Sequence, residues 1–336
     1  MKAYLLRDNG KELSQVLTLE SVADPIPKED ELLIQIEVCG VCRTDLHIIN
    51  GDLEKKQNEL IPGHQAVGIV VSMGRTVKGF SKGDRVGCVW MNRSCSQCEY
   101  CELDQENLCE KADFTGYSVH GGYAEKMVIP MQFAIKLPKS EKPEHLAPLL
   151  CAGVIGYRSL KLSGIKSGQY LGLYGFGASA HLAIQIASYW GVESYVITRS
   201  NDHQAHAREL GAVWVGSAED TPPKKLHASV LFAPVGEWVP LSLTQLKRGG
   251  TLAINAIHLS DIPSIKYKNL YHEKKISSVT NVIKTDCDEL IKLMTKIPIQ
   301  TKVTTYPFED LVQALNDLRS SKINGAAVLK MKPKVK

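Results

Sequence analysis

No run of apolar residues in this 336-residue chain is long enough to cross a bilayer, which takes about 20 in a row, so no membrane partner is expected. The opening Met1-Lys2-Ala3-Tyr4-Leu5-Leu6-Arg7 is too short and too soon charged for the apolar region of an export signal. Excess charge is equally scarce. Lys and Arg number 40 against 36 Asp and Glu, leaving a formal +4. Nucleic-acid binding needs a strongly basic patch or stripe, and none is legible, so no nucleic-acid partner is expected. The basic end from Lys330 to Lys336 reads as a solvated tail. What remains is 44% hydrophobic and 23% charged, normal for a soluble globular protein, and long enough for about two domains.

Cysteine is present in an odd number, nine. Without an export signal, that count argues for a reducing, cytoplasmic setting and for metal or catalytic use of thiols. The densest group is Cys95-x-x-Cys98-x-x-Cys101 followed by Cys109. Four thiols so close are good ligands for a closed tetrahedral zinc. An iron–sulfur cluster is the rival, although the ferredoxin run closes with a shorter last gap and a proline. Cys39-Gly40-Val41-Cys42 also has the spacing of a dithiol redox pair. Such a pair normally opens a helix after a buried strand, whereas this one runs straight into Thr44-Asp45 and histidines, so Cys39 reads as buried strand.

The span from Cys42 to Gln65 is the richest in chemistry. Cys42-Arg43-Thr44-Asp45-Leu46-His47 and Gly63-His64-Gln65 offer a thiolate, an imidazole and a hydroxyl, with His47 as a second imidazole. Thiolate plus imidazole is a ligand set that catalytic zinc favours, given a third protein ligand and an open fourth position. Cys151, in Leu149-Leu150-Cys151-Ala152-Gly153, is the candidate third ligand, although it lies too far downstream for local spacing to show it. The plainer alternative makes Cys42 and Cys151 small buried hydrophobes and His64 a satisfied surface histidine.

Around these residues the first segment reads as irregular β structure. Leu32, Ile34, Ile36 and Val38 alternate with polar residues, Ala66 to Val71 is an apolar run, and Lys82-Gly83-Asp84 turns into another strand. After Cys151 the texture becomes alternating strands and helices, which implies a parallel sheet and an α/β chain. Tyr170 to Tyr174 reads as a buried strand ending at Gly175-Phe176-Gly177-Ala178-Ser179-Ala180, and Leu182, Ile186 and Trp190 continue at helical spacing. Between strand and helix, Gly-x-Gly-x-x-Ala is a dinucleotide fingerprint. Gly175 makes the turn, Gly177 admits the pyrophosphate, and Ala180 stands where a third glycine is usual. The next strand runs to Thr198 and lacks the acidic residue that would bind the ribose of NAD. Arg199 and Ser200 follow instead, which favours NADP with NAD as the alternative.

Taken together, the Cys-x-Thr-Asp-x-x-His and Gly-His-Gln motifs, the four-cysteine lobe with Phe114-Thr115-Gly116-Tyr117 and Gly121-Gly122-Tyr123-Ala124-Glu125, the glycine loop and Gly325-Ala326-Ala327-Val328 resemble the zinc-dependent medium-chain alcohol dehydrogenases. The resemblance covers nearly the whole chain. It implies a GroES-like β-rich catalytic domain over 1–152 and 286–336, with a doubly wound Rossmann domain inserted over 153–285. It implies two zincs per chain, one catalytic at Cys42, His64 and Cys151 and one structural at Cys95, Cys98, Cys101 and Cys109. Hydride would pass between a primary or small secondary alcohol, or its aldehyde, and a nicotinamide faced by Asn255 and Ala256. Thr44 would relay the alcohol proton and, through a ribose hydroxyl, His47 would receive it. Trp90 resembles an aromatic that narrows the substrate pocket, with core packing as its alternative reading. A homodimer or homotetramer is usual for such enzymes. Gln65 departs from the family's glutamate, a carboxylate behind the metal ligands held to assist ligand exchange. A zinc-free quinone-type reductase and a non-catalytic dinucleotide- or zinc-binding protein remain as alternatives.

Overall fold

The computed structural model describes residues 1–10 and 12–332. Among them the chain forms two compact units: Met1–Cys151 with Asn281–Ile291 and Thr301–Lys336, and Ala152–Thr280 with Lys292–Gln300. No helix of the described residues is long and apolar enough to cross a membrane.

In the first unit, the strand Glu31–Val41 is the hub of a seven-stranded sheet, pairing antiparallel with Ala66–Met73, Lys126–Pro130 and Ala326–Lys330. Its alternation explains this position. Leu32, Ile34, Ile36 and Val38 are at most 2% exposed, and the first three bury one face in a core shared with Leu5, Ile49, Ile129 and Leu315; past the bulge between Ile36 and Val38, Cys39 joins that core instead of Val38. The helix Arg43–Asn50 follows at once, with Cys42 as its N-cap residue. Asp45, at the third helical position, accepts a hydrogen bond from the Cys42 amide at 2.8 Å, satisfying a donor otherwise exposed at the helix start. Gly51, at φ +84°, ends the helix in the left-handed conformation that suits glycine.

That helix corrects one expectation. The Cys39–Cys42 motif does open a helix after a buried strand, so its local context is the one a dithiol pair would have. What separates the two thiols is their surroundings. Cys39 is wholly buried with its thiol pushed up by burial, while Cys42 Sγ stands 4.0 Å from Cys151 Sγ.

The cysteine lobe is a small excursion from the same unit. Met91–Arg93 pairs with Asp113–Phe114, and between them lie only the short helices Glu99–Glu102 and Glu106–Leu108. Glu106 reaches out of the lobe to accept the Lys284 amide at 2.7 Å, at the start of the helix Lys284–Met294. At the basic end, Lys330 pairs with Glu144 and Lys332 with Glu309. Residues 333–336 of that expected tail lie outside the described residues.

The second unit is a six-stranded, all-parallel sheet. Numbering its strands in chain order from Tyr170–Tyr174, their order across the sheet is 3-2-1-4-5-6, the doubly wound arrangement of dinucleotide-binding domains. Strands buried on both faces read as continuous apolar runs, as Tyr170–Tyr174 does.

Candidate functional site

Three elements of the first unit bring the candidate ligands together. Cys42 stands at the junction of strand and helix, and Cys151 follows the short helix Ala147–Leu150. His64 follows Gly63, whose φ of +93° turns the loop. The ligand atoms of Cys42, His64 and Cys151 all lie within 4.8 Å of one another. Cys42 Sγ and Cys151 Sγ are 4.0 Å apart, and His64 Nε2 is 3.4 Å from Cys151 Sγ. Sulfurs held about 2.3 Å from a tetrahedral zinc stand about 3.8 Å apart, and a sulfur–nitrogen pair about 3.6 Å, so this donor set has the spacing and softness that zinc requires.

His64 is 1% exposed, which removes the surface-histidine reading. With Nε2 toward the sulfurs, Nδ1–H donates to Asp45 Oδ1 at 3.1 Å. Asp45 is itself wholly buried, and its Oδ2 accepts from Tyr123 Oη at 2.6 Å as well as from the Cys42 amide. A carboxylate behind a ligating histidine fixes the ring and its tautomer. Burial opposes a charged His64, yet the carboxylate beside it and the contact with Cys42 bring its pKa to about 10. Hydrogen bonding from Cys151 pulls the Cys42 thiol well below its usual range, and the same contact, with burial, pushes Cys151 up.

Thr44 Oγ1 lies 3.6 Å from Cys42 Sγ. His47 is one helical step further on the same face, at the i+3 spacing. Its Nδ1 is 2.8 Å from Asp52 Oδ2, a carboxylate that the sequence motif did not single out. Trp90 meets the His64 ring edge to face, with centroids 5.0 Å apart, and stacks on Phe114 at 5.5 Å and Tyr117 at 5.7 Å. It is therefore a slab of aromatic surface against the candidate ligand His64. Gln65 is 4% exposed and folds over Gly40, where a Cβ would come within 2.6 Å of Gln65 Oε1.

Cys95, Cys98, Cys101 and Cys109 also gather within 4.8 Å. Sγ separations of 4.0 Å for Cys95–Cys101 and 3.6 Å for Cys98–Cys101 bracket the tetrahedral zinc value of about 3.8 Å. The Cys95 amide donates to Cys109 Sγ at 3.4 Å, the sort of contact that stabilises a thiolate.

The expected cofactor residues fall at one edge of the parallel sheet in the second unit. Gly175 ends the first strand at φ +90°, and a Cβ there would lie 2.9 Å from Ala233. A Cβ on Gly177 would meet nothing within 4 Å, leaving its backbone open to approach. Ala178 begins the helix Ala178–Tyr189, and Ala180 is wholly buried against the sheet. Thr198 follows the second strand and is buried, whereas Arg199 and Ser200 are exposed. Ser200 caps the helix Asn201–Glu209. Asn255 and Ala256 follow the fifth strand, and Asn255 Nδ2 is a buried donor without a protein partner. An open glycine loop at a helix start and an orphan amide at the carboxyl edge of the sheet fit a dinucleotide.

Sequence comparison agrees with this geometry. The alcohol dehydrogenase GroES-like domain family matches residues 28–139. A Mycobacterium tuberculosis protein described as "Probable alcohol dehydrogenase AdhA" is 42% identical over 98% of this chain and 97% of its own. An alcohol dehydrogenase of Geobacillus stearothermophilus is 34% identical over 96% of this chain and 97% of its own. The fold matches the cobalt- and zinc-bound thermostable alcohol dehydrogenase of Pyrobaculum aerophilum with a TM-score of 0.89, at 24% identity over 98% of this chain and 99% of that one. With the likeness running from end to end, and one unit a doubly wound sheet and the other carrying the GroES-like match, the chain belongs to the medium-chain alcohol dehydrogenase family.

Proposed function

We propose that this enzyme is a zinc-dependent alcohol dehydrogenase or aldehyde reductase, acting on primary or small secondary alcohols with NADP(H), and carrying a second, structural zinc. The observation that carries the reading is the convergence of Cys42, His64 and Cys151, with His64 backed by the buried Asp45. Three protein ligands leave a tetrahedral metal one position for substrate. Zinc bound there supplies a Lewis acid for the alcohol oxygen, and the nicotinamide supplies the hydride chemistry.

The chain's own residues handle the proton. Thr44 is neither acidic nor basic enough to keep it, so its hydroxyl relays. His47 is the acceptor, and with Nδ1–H directed at Asp52, Nε2 carries the lone pair. His47→Gln is expected to lower kcat by about a hundredfold, the lower end of general acid–base catalysis, with imidazole buffer restoring much of it. Asp52→Asn should give a smaller loss of the same kind. A His47→Gln enzyme at full speed in every buffer would remove His47 from the relay.

Gln65 sets the charge beside the metal ligands. Two thiolates balance a zinc dication, so a neutral amide next to His64 leaves the site more electropositive than a carboxylate would. Gln65→Glu should move the alkaline limb of the kcat profile to higher pH by on the order of one unit, and raise turnover where ligand exchange limits it. A pH profile and rate that coincide with the wild type would show that this charge has no influence.

A homodimer is the assembly we favour. The outer strand Lys275–Ser278 leaves one side of its ladder unpaired, and the segment before it exposes Tyr267 and Tyr271 at 70% and 63%. The central test is metal content together with a screen of alcohols and aldehydes against both cofactors, read as reduced-nicotinamide absorbance. Two zincs and NADPH-linked turnover are expected. No metal with turnover would indicate a zinc-free reductase, and metal without turnover a binding protein.

A further inference from the structure

We propose that Tyr123 is a positioning residue for His64, acting through Asp45; the inference rests on the reading that Cys42, His64 and Cys151 hold a metal. Tyr123 is wholly buried and grips the His64 loop in two ways. Its amide donates to Pro62 O at 2.9 Å, and the preceding Gly122 amide donates to Gly63 O at 2.7 Å. Its ring lies against Gly63 so closely that a Cβ there would come within 2.6 Å of it. From the same ring the hydroxyl reaches Asp45 Oδ2 at 2.6 Å, the shortest of the three hydrogen bonds that the carboxylate accepts.

The three donors divide the carboxylate's work. The Cys42 amide and the Tyr123 hydroxyl hold Oδ2, and Oδ1 is then aimed at His64 Nδ1. Rotation about the terminal torsion of an aspartate is soft, so an oxygen held from one side alone does not fix the other. Burial pushes the Tyr123 hydroxyl well above its usual range, so it stays a phenol and donates. One residue therefore sets both the path of the loop that carries the ligand and the plane of the carboxylate that orients the ligand's ring. A hydroxyl that merely needed a buried acceptor would contribute stability without affecting the metal.

The variant that separates these roles is Tyr123→Phe, which keeps the ring on Gly63 and removes only the hydroxyl. The purified zinc-loaded enzyme is challenged with a chelator, and the release of the two zincs is followed in time. A parallel sample carries cobalt at the Cys42, His64 and Cys151 site for its visible ligand-field spectrum. Release from that site is expected to accelerate about tenfold with a shifted cobalt spectrum, within the range for partners behind metal ligands, while release from the four-cysteine site is unchanged. In an Asp45→Asn background the same substitution should have no further effect on release. Unchanged release and spectrum with only a lower melting temperature would overturn the proposal, as would a full additional effect in the Asp45→Asn background. Should the wild type take up a single metal, held by the four cysteines, the catalytic-site reading itself fails, an outcome distinct from a second metal that is bound and indifferent to Tyr123.

Discussion

Replacing Cys42 with serine is expected to leave a folded protein that has lost one zinc and all but about a thousandth of its turnover, while replacing Cys98 with serine sheds the other zinc and destabilises the chain. The contrast follows from what surrounds each cysteine. Cys42 sits between the hub strand and a capped helix, in a core that includes Val41, Leu46 and Ile49, so the fold there stands on apolar burial whether or not a metal is held. The lobe around Cys98 has no such support. Its helices Glu99–Glu102 and Glu106–Leu108 bury only Asn107 between them, and Ser96 and Asp104 adopt positive φ in its turns. Where apolar contacts are this few, the ligands supply the ordering energy, because a site absent from the unfolded chain converts metal binding into folding free energy. Cys98→Ser should therefore cost on the order of 3 kcal/mol, read as a lower melting temperature with one equivalent of zinc missing. The loss should extend to the start of the helix Lys284–Met294, whose first amide is held by Glu106 of the lobe. Full activity in Cys42→Ser would sink the catalytic assignment. An unchanged melting curve in Cys98→Ser would sink the structural one.

The elements that the sequence made legible are those with a strong local signature. The alternation of Leu32, Ile34, Ile36 and Val38 is a period-two pattern, and it forms the hub strand. Gly175 and Gly177 between an apolar run and a helical spacing mark a turn that needs a positive φ and an open backbone, and both are present. Cys95, Cys98, Cys101 and Cys109 lie within fifteen residues of chain, so their gathering into one cluster could be read directly.

What escaped the sequence reading depends on contacts across long separations. Asp45 lies inside the Cys42 to His47 motif, yet its role comes from Tyr123, 78 residues away, and from His64. No periodicity reports that a phenol and an imidazole share one carboxylate. Asp52 was missed because it lies just beyond the helix that carries His47, past the Gly51 turn that folds it back. The opposite error occurred at Cys39 and Cys42. There the local context looks unlike a strand-to-helix junction, because the motif runs straight into Thr44-Asp45 and the histidines; in fact Cys42 is the N-cap, and Asp45, in the first turn, accepts its amide. Polar residues at a helix start resemble a turn until the amides they satisfy are seen.

Cofactor choice should change most on replacing Arg199 with alanine, with the KM for NADPH rising about tenfold to a hundredfold while NADH kinetics stay nearly constant. The magnitude is that of a charge-assisted hydrogen bond lost from a partly exposed site. Arg199 stands between the buried Thr198, at the end of the second parallel strand, and Ser200, which caps the helix Asn201–Glu209. That is where a dinucleotide's adenosine ribose lies in a doubly wound sheet, and a carboxylate there would favour the free 2′-hydroxyl. In place of one are a guanidinium, a hydroxyl and the amide-rich start of a helix, all of which favour an anion. Among the described residues Arg199 makes no hydrogen bond or ion pair, although its charge helps to lower the Glu219 carboxyl after the bond from Ser217 and its own backbone. Its side chain is thus not committed to holding the fold, and its removal should leave the melting temperature unchanged. Arg199→Asp carries the argument further: a carboxylate at that position should repel a 2′-phosphate and accept a ribose hydroxyl, turning the preference toward NADH. Equal losses with the two cofactors in Arg199→Ala would show that Arg199 acts on a part that NADPH and NADH share, and the proposed pairing with a 2′-phosphate would fall.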